Sequence, residues 1–197
     1  MENKGTIKCN PCDIGEDDKC LSCDEGINKC SKCNIGYKLE NGKCILNYSF
    51  KATYFVDSKA NVNLINNNCK NKIKEVIIDG NIQTEINNAY ELEYGNHIVY
   101  ILLDLNSLPD SMFYSCSYMK EIYFSSQFNN IEIKSMKQMF RDCSSLKNIN
   151  ISNIDISKVT SMKEMFKNCE ELEYIKFPNI KAKELNEIHE MFEGCSS

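Results

Sequence analysis

The residue type with the most chemical potential is cysteine, and its twelve copies fall into two sets. Seven lie in the first 44 positions as Cys9-x2-Cys12-x7-Cys20-x2-Cys23-x6-Cys30-x2-Cys33-x10-Cys44. The other five, Cys69, Cys116, Cys143, Cys169 and Cys195, are widely spread. Closely spaced thiols can oxidise to disulfides or, as thiolates, ligate zinc. The Cys-x2-Cys pairs stand six or seven residues apart, closer than the roughly 12–20 of common zinc ribbons. No histidine lies among them, and seven ligands divide badly into tetrahedral fours. Neither ferredoxin spacing is present. Disulfides are the expected chemistry, and zinc is the alternative. Elsewhere the chain lacks a nucleophile–base pair, an acidic dyad within a motif and a phosphate-binding glycine loop. Its two histidines are far apart; His97 reads as a turn or strand-edge residue and His189 as solvated. No catalytic residue, cofactor or metal ligand is assigned, and the chain is not expected to be an enzyme.

Residues 1–46 hold few apolar side chains (Ile7, Ile14, Leu21, Ile27, Ile35, Tyr37, Leu39), too few to offset the ordering entropy without a covalent staple. Glu40-Asn41-Gly42 is a tight-turn signal, since Asn-Gly tolerates positive φ. A turn there would bring Cys33 near Cys44. The run Gly36-Tyr37-Lys38-Leu39 between those two cysteines resembles the furin-like, growth-factor-receptor cysteine-rich modules. Under that resemblance the simplest local pairing is Cys12–Cys20, Cys23–Cys30 and Cys33–Cys44, with Cys9 left over.

Residues 47–104 read as β-rich. Ser49–Val56 and Lys74–Asp79 are strand-like, and Tyr90–Tyr94 and Ile98–Leu103 flank Gly95-Asn96 as an expected hairpin. This region is expected to be the N-terminal cap of a repeat array in residues 105–197.

Residues 105–197 repeat. Met112-Phe-Tyr-Ser-Cys116, Met139-Phe-Arg-Asp-Cys143, Met165-Phe-Lys-Asn-Cys169 and Met191-Phe-Glu-Gly-Cys195 start 27, 26 and 26 residues apart. After three of the cysteines come Met119-x-x-Ile122-x-Phe124, Leu146-x-x-Ile149-x-Ile151 and Leu172-x-x-Ile175-x-Phe177, in which the last two share a strand face. Before three of the Met-Phe pairs come Ile133-x-x-Met136, Val159-x-x-Met162 and Leu185-x-x-Ile188, whose spacing of three predicts a helical turn or 3-10 stretch. Cys69 with Ile73, Val76 and Ile78 reads as a degenerate earlier copy, and the extra residue of the first interval is expected near Ser126-Gln127-Phe128. The expected fold is an α+β repeat solenoid of one strand plus a short helical segment per unit, with strands about 4.8 Å apart in a parallel sheet.

The Met-Phe-x-x-Cys-x-x-Leu…Ser-x-Met pattern resembles the BspA-like leucine-rich-repeat family of microbial surface proteins. That resemblance implies an extracellular or cell-surface protein whose role is adhesion or protein binding. The unit holding Pro178 and Ala182-Lys-Glu-Leu185 departs from the pattern, which leaves its loop shape open. The chain stops at Cys195-Ser196-Ser197, just before an expected strand, so it reads as a fragment of a longer protein. Cys116, Cys143, Cys169 and Cys195 recur at one repeat position and read as buried free thiols. Disulfides between neighbouring rungs are the alternative, poorly served by parallel side-chain vectors.

A net charge of −5 offers no basic field, which disfavours nucleic acid as a partner. No apolar run approaches the roughly 18 residues of a membrane span. The expected partner is a protein or glycan ligand on a surface. Its contact would be Tyr123, Asn150 and Lys176, with Glu121, Asn148 and Tyr174 nearby, all standing between buried strand positions; an exposed Tyr123–Tyr174 pair would favour an interface. Asn47-Tyr-Ser49 and Asn150-Ile-Ser152 are glycan acceptors if the protein is secreted through a glycosylating pathway. The competing readings are an intracellular zinc-containing interaction scaffold and a purely structural spacer.

Overall fold

The computed structural model describes residues 20–23, 30–34, 36–104, 108–125, 128, 131–179 and 181–196. The chain divides into two compact units, Met1–Asn47 and Tyr48–Ser197.

In the first unit, strands β1 (Cys20–Cys23) and β2 (Cys30–Cys33) form one antiparallel ribbon, with Cys20 opposite Cys33 and Cys23 opposite Cys30. Strands β3 (Tyr37–Glu40) and β4 (Lys43–Leu46) form another, closed by Asn41 at φ 50° and Gly42 at φ 76°. Two consecutive left-handed residues are what a two-residue hairpin needs to match strand twist. A disulfide joins Cys33 to Cys44, with Cα atoms 5.6 Å apart. Cys9 and Cys12 lie outside the described residues, as do the side chains of Cys20, Cys23 and Cys30.

The second unit is built on a seven-stranded mixed sheet. Its strands are β5 (Phe50–Val56), β7 (Ile73–Ile78), β8 (Asn81–Ile82), β10 (Gly95–Leu103), β11 (Met119–Phe124), β12 (Asn148–Asn150) and β13 (Tyr174–Lys176). They run in the order β13-β12-β11-β5-β10-β7-β8. The first three are mutually parallel, and the remaining pairings are antiparallel. Strand β5 explains the core: Phe50, Ala52, Tyr54 and Val56 alternate onto one face and are fully buried, the period-two signature of a strand with one apolar side. Val76, Val99 and Ile101 add to that face, and a single hydrophobic cluster runs on through Phe113, Phe140 and Phe166 to Leu172. Residues 48–104 and the repeats therefore share one core.

The α+β solenoid expectation is overturned. Among the described residues the chain is almost all β, and its helical content is the 3-10 segment Asn67–Lys72 with a further 3-10 residue at Phe128. Where a helical segment was expected in each repeat, the chain makes overlapping β-turns. Met139 N–H bonds Met136 O, Arg141 bonds Gln138, and Cys143 bonds Phe140, each three residues back. A left-handed residue precedes every repeat methionine (Ser111, Gln138, Glu164, Glu190; φ 54–58°) and every repeat cysteine (Ser115, Asp142, Asn168, Gly194; φ 59–77°). A right-handed helix cannot propagate through such positions. The alternate N–H groups go instead to the next repeat: Gln138 to Lys163 O (2.9 Å), Phe140 to Met165 O (2.9 Å) and Asp142 to Lys167 O (2.8 Å).

Two further expectations change. Strand β10 does not form a hairpin with β9 (Ala89–Leu92); β9 pairs with β6 (Ala60–Asn63), and β10 runs between β5 and β7. Gly95 at φ 133°, a backbone angle that L side chains rarely adopt, lets the chain leave one ribbon and enter the sheet. The degenerate copy keeps its buried Cys69, and Asn66 N–H bonds Met112 O at 2.7 Å. Its strand β7, however, is separated from β11 by β5 and β10. Ser126 and Gln127 lie outside the described residues; Phe128 beside them is fully buried.

Candidate functional site

The strand register gathers the six proposed face residues into two rows. Glu121, Asn148 and Tyr174 are register partners across β11, β12 and β13, and so are Tyr123, Asn150 and Lys176. Between the rows, Ile122 and Ile149 are 1% exposed and point to the core, with the half-buried Ile175 completing that row. Asn148, Asn150 and Lys176 are exposed, as are Tyr123 (42%) and Tyr174 (57%), and Glu121 is half-buried. The two tyrosines do not form a pair: they belong to different rows, and β12 lies between their strands.

Both rows continue onto the antiparallel half of the sheet, where Thr53 aligns with Glu121 and Lys51 with Tyr123. The buried Lys51 places its ammonium 5.9 Å from the Tyr123 ring centroid, and Tyr123 Oη donates to Glu121 Oε2 at 3.0 Å. The ring is thus held by a cation at its face and a carboxylate at its hydroxyl. Asn150 Oδ1 accepts from Ser152 N (3.0 Å) and Ser152 Oγ (2.6 Å), so the amide NH2 is what Asn150 presents outward. Lys120, Lys147, Glu171 and Glu173 border the rows with ion pairs of 3.2–3.7 Å that cross from repeat to repeat. Asn47, the other glycan-acceptor candidate, is exposed in the first unit.

The repeat cysteines are unbridged. The thiols of the last three donate to the phenylalanine carbonyl of the preceding repeat: Cys143 to Phe113 O (3.0 Å), Cys169 to Phe140 O (3.0 Å) and Cys195 to Phe166 O (3.1 Å). Burial raises the pKa of Cys116 and Cys143 far above the usual thiol range and pushes Cys169 up to about 12. Neutral buried thiols are poor nucleophiles. Beside them the phenylalanines stack face to face: Phe113–Phe140, Phe140–Phe166 and Phe166–Phe192 have centroids 5.3, 5.5 and 5.7 Å apart and interplanar angles of 7°, 4° and 3°.

Sequence reasoning missed a polar network on the turn side. Buried Glu164 accepts from Gln138 Nε2 at 2.8 Å and is paired with Arg141. The Gln138 hydrogen bond, with the nearby Arg141, Lys163 and Lys167 charges, holds its carboxyl below the usual range against the opposing effect of desolvation. The recurrence of polar residues just before each Met-Phe was the available signal. His97 also does more than expected of a strand-edge residue. Its Nδ1 lies 2.7 Å from Asp79 Oδ2 and its Nε2 lies 2.9 Å from Glu93 O. Both partners accept only, so both ring nitrogens must donate, which favours the imidazolium. His189 is exposed. Among the described residues no group of three or more His, Cys, Asp or Glu is placed to hold a metal ion, and no helix is long and apolar enough to cross a membrane.

Residues 43–151 match the family model described as BspA type leucine rich repeat region, in six copies. Residues 108–197 match a second model, described as Mycoplasma protein of unknown function, DUF285. Comparison with curated proteins and with solved structures found no match.

Proposed function

The chain belongs to the BspA-type leucine-rich-repeat family, and from that premise we propose that it is a non-catalytic scaffold that binds a protein or glycan ligand outside the cell or at its surface. The observation that carries this reading is the alignment of Glu121, Asn148, Tyr174 and Tyr123, Asn150, Lys176 into two outward rows over a packed core. A flat, preorganised surface with exposed tyrosines loses little side-chain entropy on binding. The extracellular placement draws support from the Cys33–Cys44 disulfide, since structural disulfides persist in oxidising compartments. The furin-like likeness of residues 1–46 belongs to the same reading.

The test is a comparison on protein and glycan arrays between the native chain and a variant carrying Tyr123→Ala, Tyr174→Ala and Lys176→Glu. Loss of a bound ligand from the variant supports the face. A ligand held equally by both places the binding surface elsewhere. A glycan on Asn150 would crowd these rows, so material with Asn150 occupied should bind less.

A further inference from the structure

The antiparallel half of the sheet carries a second outward surface. On β5, Phe50, Ala52, Tyr54 and Val56 point to the core, so Thr53 and Phe55 point away from it. The register sets Ile98 of β10 opposite Thr53, and Asn96 opposite Phe55. Ile98 and Phe55 are therefore diagonal neighbours, within reach of each other's side chains. Ile98 is 41% exposed, and Tyr94, just before β10, is 72% exposed. The Tyr94 ring meets the half-buried Phe55 ring edge to face, with centroids 6.0 Å apart. Single exposed apolar side chains are ordinary, but three that adjoin across paired strands make a patch.

The patch is held in place and its border is acidic. His97 Nδ1 lies 2.7 Å from Asp79 Oδ2 and its Nε2 lies 2.9 Å from Glu93 O. Asp79 Oδ1 also accepts from Ile98 N at 2.8 Å. The corner that carries Tyr94 is thus pinned to the turn between β7 and β8. Around it Asp57, Asp79, Glu91 and Glu93 are exposed. Lys59 Nζ lies 2.7 Å from both Glu91 and Glu93, and His97 faces Asp79. Asp57, two residues beyond Phe55, has no ion pair among the described residues. The carboxylates outnumber the cations that face them.

We infer that Phe55, Tyr94 and Ile98 form a docking surface for a basic polypeptide segment. An aliphatic side chain of that segment lies against Ile98, and an arginine or lysine lies against the Tyr94 ring and the carboxylates beside it. Charge selects this occupant. An anionic lipid surface or a nucleic acid would meet the acidic border and be repelled. A second copy related by a two-fold axis would set that border against its twin. A neutral glycan would stack on Tyr94 but leave Ile98 without a complement and desolvate the carboxylates without compensation. A guanidinium takes both the face of a tyrosine and a neighbouring carboxylate. This surface lies beside the two rows of β11, β12 and β13 and does not depend on them.

The experiment titrates the full chain with two short synthetic peptides, one alternating arginine with leucine and one alternating glutamate with leucine, and follows the backbone amide resonances. The arginine peptide should shift the amides of Phe55, Tyr94, Asn96 and Ile98. Tyr94→Ala combined with Ile98→Thr, both at exposed positions, should weaken binding by about tenfold or more, as loss of anchoring side chains does. Asp57→Asn with Glu93→Gln should weaken it and flatten its salt dependence. Tyr123→Ala should leave it unchanged, so this surface and the rows stand or fall separately. The proposal is overturned by an absence of localised shifts, by equal shifts with the glutamate peptide, or by full affinity in the Tyr94 and Ile98 variant. Shifts at these amides that grow with protein concentration without peptide would also overturn it, because the occupant would then be a second copy.

Discussion

Cysteine does opposite work in the two units. In the first, the Cys33–Cys44 bond ties together two small ribbons that have little apolar burial to hold them. In the second, Cys116, Cys143 and Cys169 stay reduced inside a column of packed repeats. The difference lies in the surroundings of the sulfur. Where few side chains can be buried, the covalent link restrains the unfolded chain. Where methionine, phenylalanine and leucine already close the core, the thiol is a small apolar filler with one useful donor. A cysteine count alone would have assigned both sets one job.

The contrast can be broken at several points. The largest effect is expected from Phe166→Ala, which removes a fully buried ring stacked on both sides; denaturant unfolding of the second unit should lose about 3–5 kcal/mol. A loss below about 1 kcal/mol would mean that something other than packing holds the repeats. Replacing Cys33 and Cys44 by serine should cost the first unit about 2–4 kcal/mol, read as fast amide exchange through β3 and β4 with the repeats unaffected. Cys143→Ala, which deletes the thiol donor to Phe113 O and leaves a small void, should cost only about 1–2 kcal/mol. In the native protein Cys116, Cys143 and Cys169 should resist alkylation until denaturant is added; native-state labelling as fast as in the denatured chain would contradict their placement.

The smallest effect is a pH dependence. Burial alone would lower the His97 pKa, but its bonds to Asp79 and Glu93 and the Asp79 charge outweigh that and raise it. A raised folded pKa means the folded state holds the proton more tightly. Its contribution is complete below the unfolded value of about 6.5 and is lost as pH rises through the folded value. The partner carboxylate is partly exposed, so the amplitude should not exceed about 1 kcal/mol. Asp79→Asn should flatten this part of the stability–pH curve, and an unchanged curve would show that His97 does not set it.

The repeat period, the buried positions and the alternation that sets Glu121, Tyr123 and their row partners outward were legible in the sequence because each derives from periodicity alone. The turns were not. Spacing of three fits a 3-10 stretch and overlapping β-turns equally, and the residues that decide between them, Gln138, Glu164 and Glu190, carry no left-handed preference. Only Asp142, Asn168 and Gly194 hint at positive φ. Nor could local pattern foresee that β5 and β10 would lie between β7 and β11, since pairing partners far apart in sequence leave no local mark. The same limit separated Tyr123 from Tyr174. Their common outward direction was readable, but their rows depended on the strand register.

The one-way run of amides along the turn column also has an electrical side. Peptide dipoles that point the same way add, as they do in a helix. The dipole of the column therefore points from the segment around Asn66 toward the later repeats, its positive side facing the direction in which the N–H groups point. Glu187, Glu190 and Glu193 lie exposed in the last described turns, on the side toward which that dipole points, where acidic side chains are more welcome than lysines would be.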